Sequence, residues 1–500
     1  MFDFFLQALT PLNLGLAAVS VVAGVVIGGI PGLTATMAVA VLTPFTFTMP
    51  ADSALITLAS IYMGAIYGGC FAAILVNTPG TPSSIATTFD GFPMAKRGDG
   101  QLALSLATLA SVAGGLFSVL ALLILAPPLA RVALAFGPPE YFWLAVLGLT
   151  LIASLSEGQL VKGLLGACIG LLIAFVGSAV IGGDMRFTFD QPALVGGVHV
   201  VVALIGLFCI PVVLDMVLRP DPHLRIVDAG AGGGPGLGAA FRELGRQKVN
   251  LLRSSSIGTM VGALPAAGGA IASLLAYSEA RRSSPEPDSF GHGNPSGVVA
   301  SEAANNGTVG GGFIPTLVLG IPGTPPDAII LGALMVHGVR IGPNLFTEHS
   351  AIVYTFIFGL LIATVLMLPI GLLIGRYAFR MMASITKPVL VPSILLMTIL
   401  GTYAIHSSYA DVLIMLVLGL FGWLLGRAGF PPAPIVLGVV LGTIAEQGFV
   451  QSWLIGTASG NIWAVFFGRP ISLGIIALIV MGLVWPLLLR RRQARLAHAE

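Results

Sequence analysis

The chain has 500 residues, of which 56% are apolar and only 9% are Asp, Glu, Lys or Arg, and its net charge is +2. Soluble domains carry about 25% charged residues, so a water-facing surface is excluded and the solvent of most of this chain is a lipid bilayer; a mean hydropathy of +0.98 agrees. The near-zero charge and the lack of a basic stripe exclude a nucleic-acid partner.

A membrane-spanning helix needs about 20 apolar residues. The stretch 1–13 reads as an interfacial lead-in and not as a cleavable signal, because no Lys or Arg precedes Lys96. Candidate spans follow near 14–30, 54–76, 102–126, 140–156, 160–182 and 198–218. They resume near 256–277, 309–334, 350–375, 390–405, 410–427, 433–446 and 471–489. Several are short or interrupted by Gly and Pro, so about 12 true spans with additional re-entrant pieces are expected. Cys70, Cys168 and Cys209 lie in apolar runs without zinc spacing and read as small hydrophobes. No metal centre or cofactor is expected.

The one long polar interruption is Arg219 to Arg253. Its Gly-rich run Asp228 to Gly236 lacks the Lys-Ser/Thr ending of a phosphate loop and reads as a flexible linker. Its basic residues Arg219, Arg225, Arg242, Arg246, Lys248 and Arg253 predict a cytoplasmic location, and Arg490 to Arg492 with Arg495 predict the same for the C-terminus. The chain thereby divides into a first half, 1–218, a linker, 219–253, and a second half, 254–500, with a C-terminal extension.

The halves resemble each other. Gly28-Gly29-Ile30-Pro31 matches Gly262-Ala263-Leu264-Pro265, and Pro79-Gly80-Thr81-Pro82 matches Pro322-Gly323-Thr324-Pro325. Gly68-Gly69 begins eleven residues before Pro79, and Gly311-Gly312 eleven before Pro322. Motif, order and spacing together predict an internal repeat.

Two prolines and a glycine within four residues cannot continue a helix. Such a break at membrane depth is tolerated only where the backbone is buried in protein or lines a watery cavity. Freed amides at the following helix start favour an anion. Asn77, Thr78, Gly80, Thr81, Pro82 and Ser83, with Pro322, Gly323, Thr324 and Pro325, are therefore candidate substrate contacts. The upstream breaks add Pro31, Gly32 and Thr34, and Gly268 and Gly269. Hard oxygens suited to a coupling cation come from Ser84 and Asp327, and from Glu302, Asn305 and Asn306, whose spacing places them on one helical face. Lys162, Asp215 and Asp411 sit at span ends and read as interfacial. His199 and His406 have no metal spacing.

At these motifs the chain resembles the large membrane subunit of the tripartite tricarboxylate transporters, the TctA family. The likeness is carried by Gly29-Ile30-Pro31-Gly32, Tyr67-Gly68-Gly69 through Pro82, Asp90-Gly91-Phe92-Pro93, Ser301 to Asn306, and Gly320 to Pro325. The resemblance implies a multi-pass protein of the bacterial inner membrane that translocates a small carboxylate, such as citrate, on a Na⁺ or H⁺ gradient. It also implies two partners, a periplasmic solute-binding protein and a small four-span membrane subunit. The expected fold is an all-α polytopic membrane protein of two inverted-topology repeats with broken or re-entrant helices. The two Pro-Gly-Thr-Pro breaks are expected to approach each other at mid-membrane. The rival readings are a passive organic-anion channel and an intramembrane enzyme built on Ser296.

Overall fold

A computed structural model describes all residues except 156–159, 219–236, 266, 340, 341, 343, 385, 386 and 498–500. The Gly-rich run and the rest of 219–236 thus lie outside the described residues. The chain begins with α1 (Phe2–Ala8), α2 (Pro11–Gly29), α3 (Ala35–Leu42), α4 (Ala51–Val76), α5 (Ile85–Met94), α6 (Gly100–Ala133), α7 (Pro138–Leu155) and α8 (Leu160–Ala174). An antiparallel pair, β1 (Gly177–Ser178) with β2 (Met185–Arg186), precedes α9 (Val200–Leu218). Then come α10 (Leu237–Arg246), α11 (Lys248–Gly262), α12 (Gly268–Arg282), α13 (Pro295–Leu319), α14 (Pro325–Val336), α15 (Leu345–Glu348), α16 (Ser350–Ser384) and α17 (Lys387–His406). The last four are α18 (Tyr409–Arg427), α19 (Pro432–Ala458), α20 (Ile462–Phe467) and α21 (Pro470–Ala497).

The protein is an all-α polytopic membrane protein. Among the described residues, eight helical segments are long and apolar enough to cross a membrane, and four shorter apolar helices accompany them. The expected spans 256–277 and 309–334 are not continuous. Pro265 and the positive φ of Gly268 separate α11 from α12, while the positive φ of Gly320 and Pro322 separate α13 from α14. The expected span 160–182 stops at Ala174, because the short hairpin that follows turns through Gly177, Gly182 and Gly183, all at positive φ. The polar stretch 277–312 holds more helix than its composition suggests: from Pro295 onward it is α13, buried from Gly297 to Val318.

The chain forms two compact units. One comprises Met1–Ala130 and Phe208–Ser407, the other Arg131–Leu207 and Ser408–Glu500. In the first, α4 is buried from Ser53 to Val76, so it is apolar all round and lacks the one-sided stripe of a surface helix. Small residues let α2 lie directly on it. A Cβ at Gly24 or Gly28 would overlap the Ile61 or Ala65 carbonyl, and a Cβ at Gly64 or Gly68 the Val21 or Val25 carbonyl. The facing pairs advance together along both helices, so α2 and α4 run parallel, packed backbone to backbone as small-residue membrane interfaces do.

The second unit is built on α19, which packs against α7 and α8. Gly170 and Gly438 let α8 and α19 touch through their backbones. Glu140, fully buried at the start of α7, accepts from Gly137 N at 2.8 Å, from Arg469 Nη1 at 2.7 Å and from the Ser472 hydroxyl at 2.6 Å. Phe142, Trp143, Phe449 and Phe466 pack edge-on or tilted against one another beside this clasp, and the Trp143 indole donates to the Phe466 carbonyl at 2.9 Å.

Candidate functional site

The first break follows α4. Asn77 ends that helix in the left-handed conformation (φ 55). Gly80 N donates to the Gly69 carbonyl at 3.3 Å, drawing the chain back along the helix it has just left. Pro82 then starts one tight turn, Pro82–Ser84, that leads into α5. Thr81, Ser83 and Ser84 are buried; the Ser84 hydroxyl donates to the Thr81 carbonyl at 2.8 Å, and the Thr81 and Ser83 hydroxyls pair at 3.0 Å. Asn77 and Pro82 are exposed, and Thr78 is half-buried.

The second break repeats this path with a different side chain. Gly320 ends α13 at φ 71, and Thr324 caps α14. Asp327 closes a capping box: its Oδ2 accepts from Thr324 N at 2.8 Å and from the Thr324 hydroxyl at 2.7 Å, while its Oδ1 is buried without a partner.

The backbone contacts of the two copies correspond. Gly80 packs against the Gly28 carbonyl and the Gly69 Cα; Gly323 packs against the Gly262 carbonyl and the Gly312 Cα. Gly258 and Gly262 lie against Ala304 and Thr308, and Gly307 and Gly311 against Ser255 and Thr259, so α11 and α13 also run parallel. Ser84 stands fifteen residues after Gly69 and Asp327 fifteen after Gly312. A Cβ at either glycine would press on that side chain.

α4 and α13 cross each other antiparallel. Tyr62 stacks edge-on against Phe313, Asn306 Nδ2 donates to the Met63 carbonyl at 3.4 Å, and Asn305 Nδ2 to the Ile66 carbonyl at 3.4 Å. Each break bonds to the other copy across this crossing. The Ser273 hydroxyl of α12 donates to the Ser83 carbonyl at 2.8 Å, and Gly269 at the start of α12 lies against Ser83 and Asn305 Oδ1. Tyr62 of α4 pairs with the Thr324 hydroxyl at 2.8 Å, and α14 packs on α3, the helix that Thr34 caps by accepting from Met37 N.

The structure thus brings together Thr81, Ser83, Gly268, Gly269 and Asn305 at one place, and Gly323, Thr324 and Asp327 with Tyr62 at another. The two breaks flank the crossing. Tyr62 and Gly69, which mark their positions on α4, are seven residues apart, about 10 Å of helix. Pro31 and Gly32 (φ 92) form the turn before α3. Glu302, Asn305 and Asn306 share α13 but part company in their contacts. Asn305 Oδ1 and Asn306 Oδ1 are buried without partners, and Asn306 Nδ2 also reaches Met63 Sδ at 3.2 Å. Glu302, fully buried, pairs with the Thr87 hydroxyl of α5 and accepts from the Ser111 hydroxyl of α6 at 2.9 Å.

Sequence reasoning missed Tyr62, Thr87, Ser111 and Ser273, which are single polar residues inside apolar runs. Aligning the halves on Gly69 and Gly312 places Tyr62 opposite Asn305, a signal that was present in the sequence. Asp90 entered only as part of a motif. Its buried carboxylate accepts three amides, Gly291 N at 2.9 Å, Gly293 N at 2.8 Å and Asn294 N at 2.7 Å, and the Tyr277 hydroxyl at 2.8 Å. It thereby fixes the loop that launches α13, and Arg97 braces the same loop through the His292 and Gly293 carbonyls.

Residues 14–437 match the family described as Tripartite tricarboxylate transporter TctA family. The chain is 36% identical to a protein of Agrobacterium vitis described as “Uncharacterized 52.8 kDa protein in TAR-I ttuC' 3'region”, over 98% of this chain and 96% of that one. It is 34% identical to an “Uncharacterized protein in TAR-II ttuC' 3'region” of the same organism, over 48% of this chain and 97% of that one. No solved structure matches.

Proposed function

This chain belongs to the tripartite tricarboxylate transporter TctA family, and on that premise we propose that it is the large translocating subunit of a binding-protein-dependent secondary transporter that imports small carboxylates on a Na⁺ or H⁺ gradient. The family is one of transporters and not of enzymes, and its members act with small membrane and periplasmic binding partners, so the chain is a multi-pass membrane transport protein. Its finer assignment to the bacterial inner membrane, with 219–253 on the cytoplasmic side, is part of the proposal.

The observation that carries this reading is the pair of buried helices, α4 and α13, each broken by the same Pro-Gly-Thr-Pro sequence and each break bonded across the crossing to the other copy. Interrupted helices at matching places in two halves are the usual frame of a carrier site. In this reading the two copies are inverted-topology repeats. Support comes from the parallel pairs α2/α4 and α11/α13 and from the antiparallel crossing of α4 and α13. The carboxylate meets amides and hydroxyls at Asn77 to Ser83 with Gly268 and Gly269, and at Pro322 to Pro325 with Pro31, Gly32 and Thr34. The coupling role falls to the buried oxygens of Ser84, Glu302, Asn305, Asn306 and Asp327. Orphaned buried oxygens cost free energy unless something meets them, which favours an ionic visitor at Asn305, Asn306 and Asp327.

The test is uptake of labelled citrate and other di- and tricarboxylates into proteoliposomes holding this chain, its small subunit and the periplasmic binding protein. A carrier accumulates substrate against its gradient when Na⁺ or H⁺ is driven inward. Uptake that stops at equal concentrations under every gradient would make the protein a channel. Coupled uptake left intact by Thr81→Ala and Asp327→Asn would remove the proposed site.

A further inference from the structure

Glu302 sits in the first unit among α4, α5 and α6, on a helix buried along its length. Among the described residues no Lys, Arg or His forms an ion pair or hydrogen bond with it. Its two carboxyl oxygens meet two neutral hydroxyls, Thr87 and Ser111. The titratable groups facing it are Tyr67 and Cys70 of α4. Tyr67 is paired with Thr108 at 2.6 Å, and α6 presents the Ser111 hydroxyl to Glu302. On α5 the nearest carboxylate, Asp90, is saturated by the loop amides and Tyr277. On α12, Glu279 is paired with Arg253 and Arg282, and on α14, Asp327 is tied to Thr324. An ionised carboxylate buried without a positive partner carries a desolvation cost that nothing offsets.

Counting hydrogens makes the same point independently. The Ser301 hydroxyl donates to the Gly297 carbonyl at 2.9 Å, the usual back-bond of a helical serine. Thr87 stands 3.1 Å from Ser301 Oγ, so one of these two hydroxyls must donate to the other. With the Ser301 hydrogen kept on the Gly297 carbonyl, Thr87 is the donor. Thr87 then has no hydrogen left for Glu302, and the hydrogen between them must come from Glu302. With a proton on Oε1 every link is satisfied in one direction: Glu302 donates to Thr87, Thr87 to Ser301, and Ser301 to the Gly297 carbonyl, while Ser111 donates to Oε2. With Glu302 ionised, Thr87 must turn to Oε1. Then either two hydroxyl oxygens face each other at 3.1 Å with no hydrogen between them, or Ser301 gives up its carbonyl.

We infer that Glu302 is a proton-binding carboxyl group, protonated in this arrangement, whose proton ties α13 to α5 and is released to water when α5 withdraws Thr87. The step is an acid dissociation: the Oε1–H bond breaks, water takes the proton, and the carboxylate keeps the electron pair. That the proton travels with the substrate cycle rests on the transport reading above; that Glu302 binds it does not.

Infrared spectra of the purified full-length protein test the binding directly, without substrate. At neutral pH a protonated-carboxyl C=O stretch is expected that is lost in Glu302→Gln, kept in Asp327→Asn, and shifted in Thr87→Val, where the hydrogen bond from the carboxyl is gone. A Glu302→Gln spectrum that retains the whole band of the parent would overturn the assignment, and so would a Thr87→Val spectrum with the band unmoved. In proteoliposomes holding the complete complex with citrate as the probe, an internal pH dye is expected to report proton movement that disappears in Glu302→Gln and returns in Glu302→Asp. Citrate accumulation without any pH change would refute the carried proton. A complex that moves no citrate at all would count against the transport reading alone, because the infrared result decides the protonation.

Discussion

Gly323→Ala tests whether the backbone of the second break is held as closely as its neighbours indicate. A Cβ there would fall 2.5 Å from the Gly262 carbonyl oxygen, 2.9 Å from the Gly312 Cα and 3.3 Å from Asp327 Oδ2. Two of these neighbours are backbone of α11 and α13, which no rotamer change can move. Inserting one methyl into a packed interior costs about 1–3 kcal/mol, and a site walled by backbone belongs at the upper end, so about 3 kcal/mol is expected. At 1.4 kcal/mol per tenfold, that is about a 100-fold loss in the population of the intact break. Gly80→Ala should behave alike, since its Cβ would meet the Gly28 carbonyl and the Gly69 Cα. Gly15→Ala in α2, where nothing lies within 4 Å, is the control. The assay pairs thermal unfolding in detergent with carboxylate uptake by the reconstituted complex. Unchanged melting and uptake in Gly323→Ala would refute the close approach of this break to α11 and α13. A loss in Gly323→Ala but not in Gly80→Ala would refute the equivalence of the two breaks.

Asp90→Ala leaves three loop amides without their acceptor, and because bonds to a charged acceptor contribute about 1.5–3 kcal/mol each, destabilisation of at least ~3 kcal/mol is expected in denaturant unfolding. Asp90→Asn keeps one oxygen for the amides and should lose about half as much. Ser273→Ala removes the bond to the Ser83 carbonyl; stability should fall by about 1 kcal/mol, while KM for uptake should rise more than kcat falls, and an unchanged KM would separate α12 from the site. In the second unit, Arg469→Ala strands the buried Glu140 carboxylate and should cost about 2 kcal/mol, less than a fully buried pair because Arg469 is partly exposed. Adding Glu140→Gln to it should restore part of that loss, and a strictly additive double variant would show that the two side chains do not interact.

How much of this was legible in the sequence depends on whether an interaction is local or joins the copies. Lipid as the solvent, the long spans α2, α4 and α6, and the two breaks at Pro79 to Pro82 and Pro322 to Pro325 all follow from composition and from the inability of proline to continue a helix. The recurrence of Gly28, Gly69 and Gly80 as Gly262, Gly312 and Gly323 was readable as a motif, and the structure shows why the motif needs glycine: backbone lies where a Cβ would go at Gly28, Gly80, Gly262 and Gly323, and the capping side chains of the break, Thr81 and Ser84 or Asp327, lie there at Gly69 and Gly312. The burial of α13 was not readable. Glu302, Asn305 and Asn306 make its sequence look solvated, and only tertiary packing supplies the hydroxyls and carbonyls that let them be buried. The contacts that join the copies were hidden as well, because Ser273 with Ser83 and Tyr62 with Thr324 pair residues far apart in the chain and of unrelated type. A physical division of labour follows. Within a copy, α2 with α4 and α11 with α13 meet backbone to backbone and cannot slide without collision. Between copies, the breaks are bonded through hydroxyls, each worth about 1 kcal/mol. Backbone contact also joins the copies where Gly114 of α6 lies against the Ala303 carbonyl of α13, so the weak links between the copies are those at the breaks themselves. In the proposed transport cycle, the hydroxyl pairs at Ser83 and Thr324 are therefore the contacts that break.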